Sequence, residues 1–126
     1  AARSRWDKAL GVVRVELQPE ARKRMFYTAM YHTMVAPNLL SDSDGTFRLQ
    51  DWKSGAASGA SVHLNQLDAK VPRHVSKSPL GQYATFSFWD TYRSLHPLLN
   101  LVHPEQSKAF AESLLAFARH WRALPE

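Results

Sequence analysis

Apolar positions keep a helical period at both ends of the chain and lose it between residues 38 and 85. Trp6, Leu10 and Val13 fall at i, i+4 and i+7, which predicts a short helix over 5–15. Its end, Val12-Val13-Arg14-Val15, is β-branched and favours extended backbone. A second helix is expected from Pro19, since proline suits the first helical position, where an N–H has no partner, and Glu20 complements the helix dipole. Phe26, Met30 and Thr33 or Met34 make one stripe of it and Tyr27 and Tyr31 a second, a pattern that implies burial on more than one side. Pro37 ends it. A third helix is expected from Ser87 to about Leu95, interrupted by Pro97. The fourth is the clearest: Pro104 and Glu105 open it, and Phe110, Leu114, Phe117 and Trp121 repeat at i, i+4, i+7 and i+11.

Between the helix pairs, residues 38–85 carry Ser41-Asp42-Ser43-Asp44-Gly45, Gly55, Gly59, Pro72, Pro79 and Gly81, with only Thr46–Leu49 strand-like. A connection this long exceeds the usual length of about 4–6 residues and points to a functional loop, with residues 53–80 its more flexible part. The sequence therefore reads as all-α, about four helices with a long irregular loop.

Composition narrows the chemistry. The 126 residues contain no cysteine, which excludes disulfides, thiolate catalysis and cysteine-bound zinc. No apolar run approaches the ~20 residues of a membrane span. The net charge of +5 is concentrated in residues 1–25, with seven basic against three acidic side chains. This reads as a solvated helix face rather than a partner site, so neither nucleic acid nor membrane is expected. The alternative is a small basic helical module binding nucleic acid or an anionic surface. The first residue is not Met, and the chain is expected to be a segment of a larger domain.

Asp42-Ser43-Asp44-Gly45 resembles the opening of a calcium loop, but an EF-hand needs a bidentate Glu at loop position 12, which here is Lys53. The expected structure is an Asx-rich turn with Gly45 at positive φ. His32, His63, His74, His96, His103 and His120 show no compact metal-binding spacing and are expected in packing, capping or surface roles, with His32 among aromatics on a buried helix. No nucleophile–base set and no phosphate loop can be assembled. The densest chemical cluster is Phe86-Ser87-Phe88-Trp89-Asp90-Thr91-Tyr92-Arg93, with an acid and a guanidinium three residues apart and flat rings around them. Sugar sites need this set, because carboxylates accept bonds from hydroxyls and rings pack on C–H faces. An ion pair on an ordinary core helix is the other reading.

Three blocks, in order, carry a resemblance: Phe26 to Asn38, Ser41 to Arg48, and Phe86 to Arg93 continuing through His96-Pro97-Leu98. Together they resemble glycoside hydrolase family 92 over roughly residues 5–126, with 50–80 as an insertion-like stretch. The resemblance implies a calcium-dependent exo-α-mannosidase, secreted or periplasmic, with a β-sandwich followed by an (α/α)6 toroid of which this chain is an arc. It implies an inverting mechanism, in which an acid and a base ~6.5–9.5 Å apart flank the bond. In the family these two residues lie well downstream of the Trp-Asp block, so no catalytic residue and no metal ligand is assigned here, and the segment alone is expected to be inactive. Trp89, Asp90 and Arg93 are the residues carried over as substrate-binding. Asp90 would accept bonds from sugar hydroxyls, Trp89 would form a pocket wall, and Arg93 would orient Asp90, with His32 nearby. The implied partners are an α-mannoside glycan and the rest of the catalytic domain.

Overall fold

A computed structural model describes residues 2–49, 73–122 and 124. They form five helices and four short strands, so the all-α expectation holds only in part. The chain divides into two compact units, Ala1–Ala36 and Pro37–Glu126.

The first unit is a helical pair. Helix α1 spans Ala2–Leu10 and stops at Gly11, whose N–H closes on Asp7 O at 3.0 Å. The expected extended end is not reached at once: Val12 still lies in the turn and Val13 in a bend, and residues 14–17 then run without helix or turn. Helix α2 spans Glu20–His32, with Pro19 as the residue just outside it rather than its first member. Trp6 packs edge-on to Tyr31 at 4.9 Å, and the Tyr27 hydroxyl donates to Val13 O at 3.2 Å. Met30 is the buried residue of α2, Phe26 and Tyr27 are half-buried, and Tyr31 stays exposed although it packs on Trp6, so both expected faces are contacted within this unit but neither is fully covered.

In the second unit the described parts of the long connection, 38–49 and 73–85, form two small antiparallel ladders, and most of the stretch expected to be flexible, 53–72, lies outside the described residues. Strands β1 (Asn38–Leu39) and β4 (Tyr83–Ala84) pair Asn38 with Ala84. Strands β2 (Thr46–Arg48) and β3 (Arg73–Val75) pair Phe47 with His74. Helix α3 (Phe88–Thr91) is a single turn, α4 spans Leu95–Val102, and α5 spans Pro104–Trp121. Pro97 does not interrupt a helix as expected. It is the third residue of α4, in the first turn, where a missing N–H costs nothing. The break falls earlier, over Tyr92–Ser94.

The core joins both ladders to the helices. Phe47 and Leu49 come from β2 and its end, Ala84 and Phe86 from β4 and its exit, Leu99 from α4, and Phe110 and Phe117 from α5. Each is almost solvent-free, and burying a phenylalanine or leucine side chain stabilises by about 1.5–3 kcal/mol. Polar stitching fixes the β1–β4 ladder on α5. The Ser113 hydroxyl donates to Ala109 O at 2.8 Å and accepts from the Tyr83 N–H at 2.9 Å. The Gln82 amide donates to Ser113 O at 3.1 Å, and its backbone N–H donates to Ser41 Oγ at 3.0 Å. Gly81 sits at φ +92°, and a Cβ there would collide with Ser41 Oγ and Leu39 Cδ1, so the crossing of β1 and β4 demands glycine.

Candidate functional site

The Phe86–Arg93 cluster begins at a strained residue. Thr85, directly after β4, has φ +60°, a left-handed conformation that a β-branched side chain rarely adopts. Its hydroxyl donates to Ala84 O at 2.6 Å and accepts from the Asn38 N–H at 3.1 Å. These bonds and the burial that follows hold the bend. Phe86 is buried, stacks on Phe88 at 5.6 Å with an interplanar angle of 5°, and meets Phe110 and Phe117 edge-on. With Phe86 and Phe88 turned into the core, Trp89 and Asp90 are left outside. Trp89 is 78% exposed, and Asp90 is exposed beside it.

Helix α3 has no side-chain cap and only four residues, far below the length at which a helix stands alone. Thr91 compensates. Its hydroxyl donates to Ser87 O at 2.6 Å and lies 2.9 Å from His96 Nε2. Tyr92 ends the turn, its N–H bonding to Phe88 O at 3.2 Å.

Arg93 takes a different partner from the one expected. Its Nε–H donates to the Tyr92 hydroxyl at 3.2 Å, and its guanidinium lies 5.5 Å from the centre of the Tyr92 ring. The physical reason is the length of α3. The i,i+3 geometry that would align Asp90 with Arg93 needs helix through Arg93, and the helix has already ended at Thr91. The site therefore presents an indole, a carboxylate and a phenol–guanidinium pair on one exposed turn. Tyr92, 58% exposed, is the member that sequence reasoning passed over.

The Asp42–Gly45 segment is the expected turn. Asp44 Oδ1 accepts from the Thr46 N–H at 2.9 Å and the Thr46 hydroxyl at 2.7 Å, which holds its carboxyl below the usual carboxylate range. Gly45, at φ +79°, donates its N–H to Asp42 O. The turn thus uses its carboxylate to start β2. Among the described residues no three His, Asp or Glu side chains converge to hold a metal ion.

The histidines fall into the expected roles, with one correction. His96 packs on Phe88 at 5.5 Å, and burial pushes its pKa down. His74 packs on Phe47 at 5.6 Å and edge-on to His120 at 5.1 Å, and its pKa is lowered by burial and then by the His120 charge. These two rings border a cleft of about 320 Å³ with Lys77, Glu112 and Arg119 on its rim. His103 precedes α5 and takes the Gln106 and Ser107 N–H groups on its carbonyl. His63 lies outside the described residues. His32 is not on a buried face: it is exposed at the last residue of α2, its ring 5.8 Å from Tyr31.

No curated protein is significantly similar to the chain. The family model for the glycosyl hydrolase family 92 catalytic domain matches residues 1–126, the whole sequence. That family implies a glycan substrate. The chain belongs to the glycosyl hydrolase family 92 catalytic domain.

Proposed function

We propose that this chain is part of an exo-α-mannosidase catalytic domain, a toroid arc whose contribution is sugar contact rather than bond cleavage. The observation that carries the reading is the core-anchored turn with Trp89 and Asp90 exposed, inside a family match that spans the chain. On this reading Asp90 accepts hydrogen bonds from two sugar hydroxyls, an arrangement suited to charge-assisted bonds about twice as strong as neutral ones. Trp89 covers a C–H face of the ring. Arg93, held by Tyr92, donates to a ring or glycosidic oxygen from the side. The general acid, the general base and the calcium ligands belong to residues outside this chain. The protein is secreted or periplasmic, where such glycans are met. Inversion then requires the absent pair to stand ~6.5–9.5 Å apart across the sugar.

Calorimetric titration of the chain with methyl α-mannoside, α-glucoside and α-galactoside tests the substrate class. The mannoside should bind tightest. Equal affinity for all three, or a galactoside preference, removes the mannosidase reading.

A further inference from the structure

The exposed turn that bears Trp89 and Asp90 has too few backbone bonds to fix its own direction. Its N–H closures are the Thr91 N–H on Ser87 O at 3.4 Å, which is long, and the Tyr92 N–H on Phe88 O at 3.2 Å. Immediately after it the chain turns through Tyr92–Ser94, so nothing in the helix propagates order to these residues. Two side-chain contacts to His96, the second residue of α4, cross that break: the Phe88 ring at 5.5 Å, which is non-directional packing, and Thr91 Oγ1 to His96 Nε2 at 2.9 Å, the hydrogen bond of the pair. Helix α4 in turn packs on α5 and buries Leu99 in the core.

Proton counting fixes the sense of that contact. Thr91 Oγ1 carries a single hydrogen, and Ser87 O at 2.6 Å is a carbonyl that can only accept. The hydroxyl hydrogen is therefore committed to Ser87, and the imidazole must donate from Nε2. A neutral histidine with Nε2–H has a bare Nδ1, so the ring is held in one tautomer. Phe88 at 5.5 Å and Phe110 at 6.4 Å fix the plane of the ring. The chain Nε2–H to Thr91 Oγ1–H to Ser87 O thus runs from α4 back to the residue that precedes α3.

We infer that His96, in its Nε2–H tautomer, is a positioning residue that clasps the Trp89–Asp90 turn to the core through Thr91. The inference deepens the sugar-contact reading and rests on it for the identity of the ligand. The clasp itself concerns only this chain. His96 does not touch the sugar. It sets the direction from which the indole and the carboxylate meet it.

Three variants and three readouts test the clasp. Long-range nitrogen–proton spectra of the 126-residue chain report the tautomer of His96, and amide exchange at Thr91 and Tyr92 reports the order of the turn. The expected spectrum is that of Nε2–H; an Nδ1–H pattern overturns the inference. His96→Phe keeps a ring against Phe88 but has no donor, and Thr91→Val keeps the shape without the hydroxyl. Both should speed exchange at Tyr92 at least tenfold. His96→Gln can still donate through its side-chain amide and should restore protection to within about threefold of the parent. Unchanged exchange in both His96→Phe and Thr91→Val overturns the inference, as does equal loss in His96→Gln and His96→Phe. Titration with methyl α-mannoside separates this from the sugar assignment. If the parent chain binds no mannoside while the tautomer and exchange results hold, the clasp stands and the sugar reading falls. If the parent binds and His96→Phe binds equally well, the clasp does not position the site.

Discussion

Two serines six residues apart on α5 should respond to the same substitution with opposite sign. Ser113 is 1% exposed and carries two bonds, donating to Ala109 O and accepting from the Tyr83 N–H. Ser113→Ala leaves Ala109 O with its helical partner but strips the Tyr83 amide of its acceptor. A buried donor left unmade costs about 1–3 kcal/mol. Against this, exchanging serine for alanine inside a helix returns about 0.5 kcal/mol. The net expectation is a loss of about 0.5–2.5 kcal/mol. The Ser107 hydroxyl is buried with no hydrogen-bond partner. Ser107→Ala removes an unsatisfied group and keeps the same propensity gain, so it should be neutral or stabilising by up to about 1 kcal/mol. Urea unfolding followed by circular dichroism reads the difference. With a slope of about 1–3 kcal/mol/M, the Ser113→Ala midpoint should fall below that of Ser107→Ala by at least about 0.2 M. Hydrogen exchange at the Tyr83 amide localises it, with acceleration expected in Ser113→Ala alone. Equal midpoints for the two variants, or Tyr83 protection unchanged in Ser113→Ala, would refute the claim that this hydroxyl joins the β1–β4 ladder to α5.

Other expectations are equally specific. Because burial and the His120 charge lower the folded pKa of His74, the unfolded chain binds the proton first as pH falls below the ordinary value of 6.5. The penalty is absent above 6.5, grows as pH drops from there toward the folded pKa, and should flatten in a His74→Phe variant when thermal midpoints are compared between pH 7.5 and 5. Thr85→Ala keeps a left-handed non-glycine residue and loses the hydroxyl bond to Asn38, whereas Thr85→Gly loses the bond but relieves the strain. The alanine variant should therefore be the less stable of the two by about 1 kcal/mol in urea unfolding. The chain incubated with an aryl α-mannoside and calcium should release no phenol above background, since its acid and base are assigned elsewhere. Measurable turnover would contradict that assignment.

How far the sequence discloses this structure depends on the range of the interaction. The stripe on α5 is legible because a helix writes its period into neighbouring residues: Phe110 and Phe117 are buried, and Leu114 packs on the same core. The Asp42–Gly45 turn is legible for the same reason, since Asp44 bonds its own neighbour two positions on. Strands β1, β3 and β4 are not. Two or three residues cannot display an alternation, and their partners lie far along the chain, Asn38 on Ala84 and Phe47 on His74. The loss of helix at Tyr92–Ser94 was hidden as well, because Phe88 to Leu98 contains helix formers and the proline there reads as a break when it sits in a first turn. At the candidate site, Trp89 and Asp90 could be named from residue type and family resemblance. The Thr85 bend and the Thr91–His96 contact needed coordinates, since no local pattern marks either.

The central claim is that a hexose meets this chain at the turn bearing Trp89 and Asp90. Its most direct test is a titration of the isotope-labelled chain with methyl α-mannoside, reading the Trp89 indole and the Asp90 amide, alongside the Asp90→Asn variant. Saturable shifts at both positions, weakened at least fivefold by Asp90→Asn, are the expected result. Saturable shifts that cluster elsewhere, or binding that Asp90→Asn leaves intact, would contradict it.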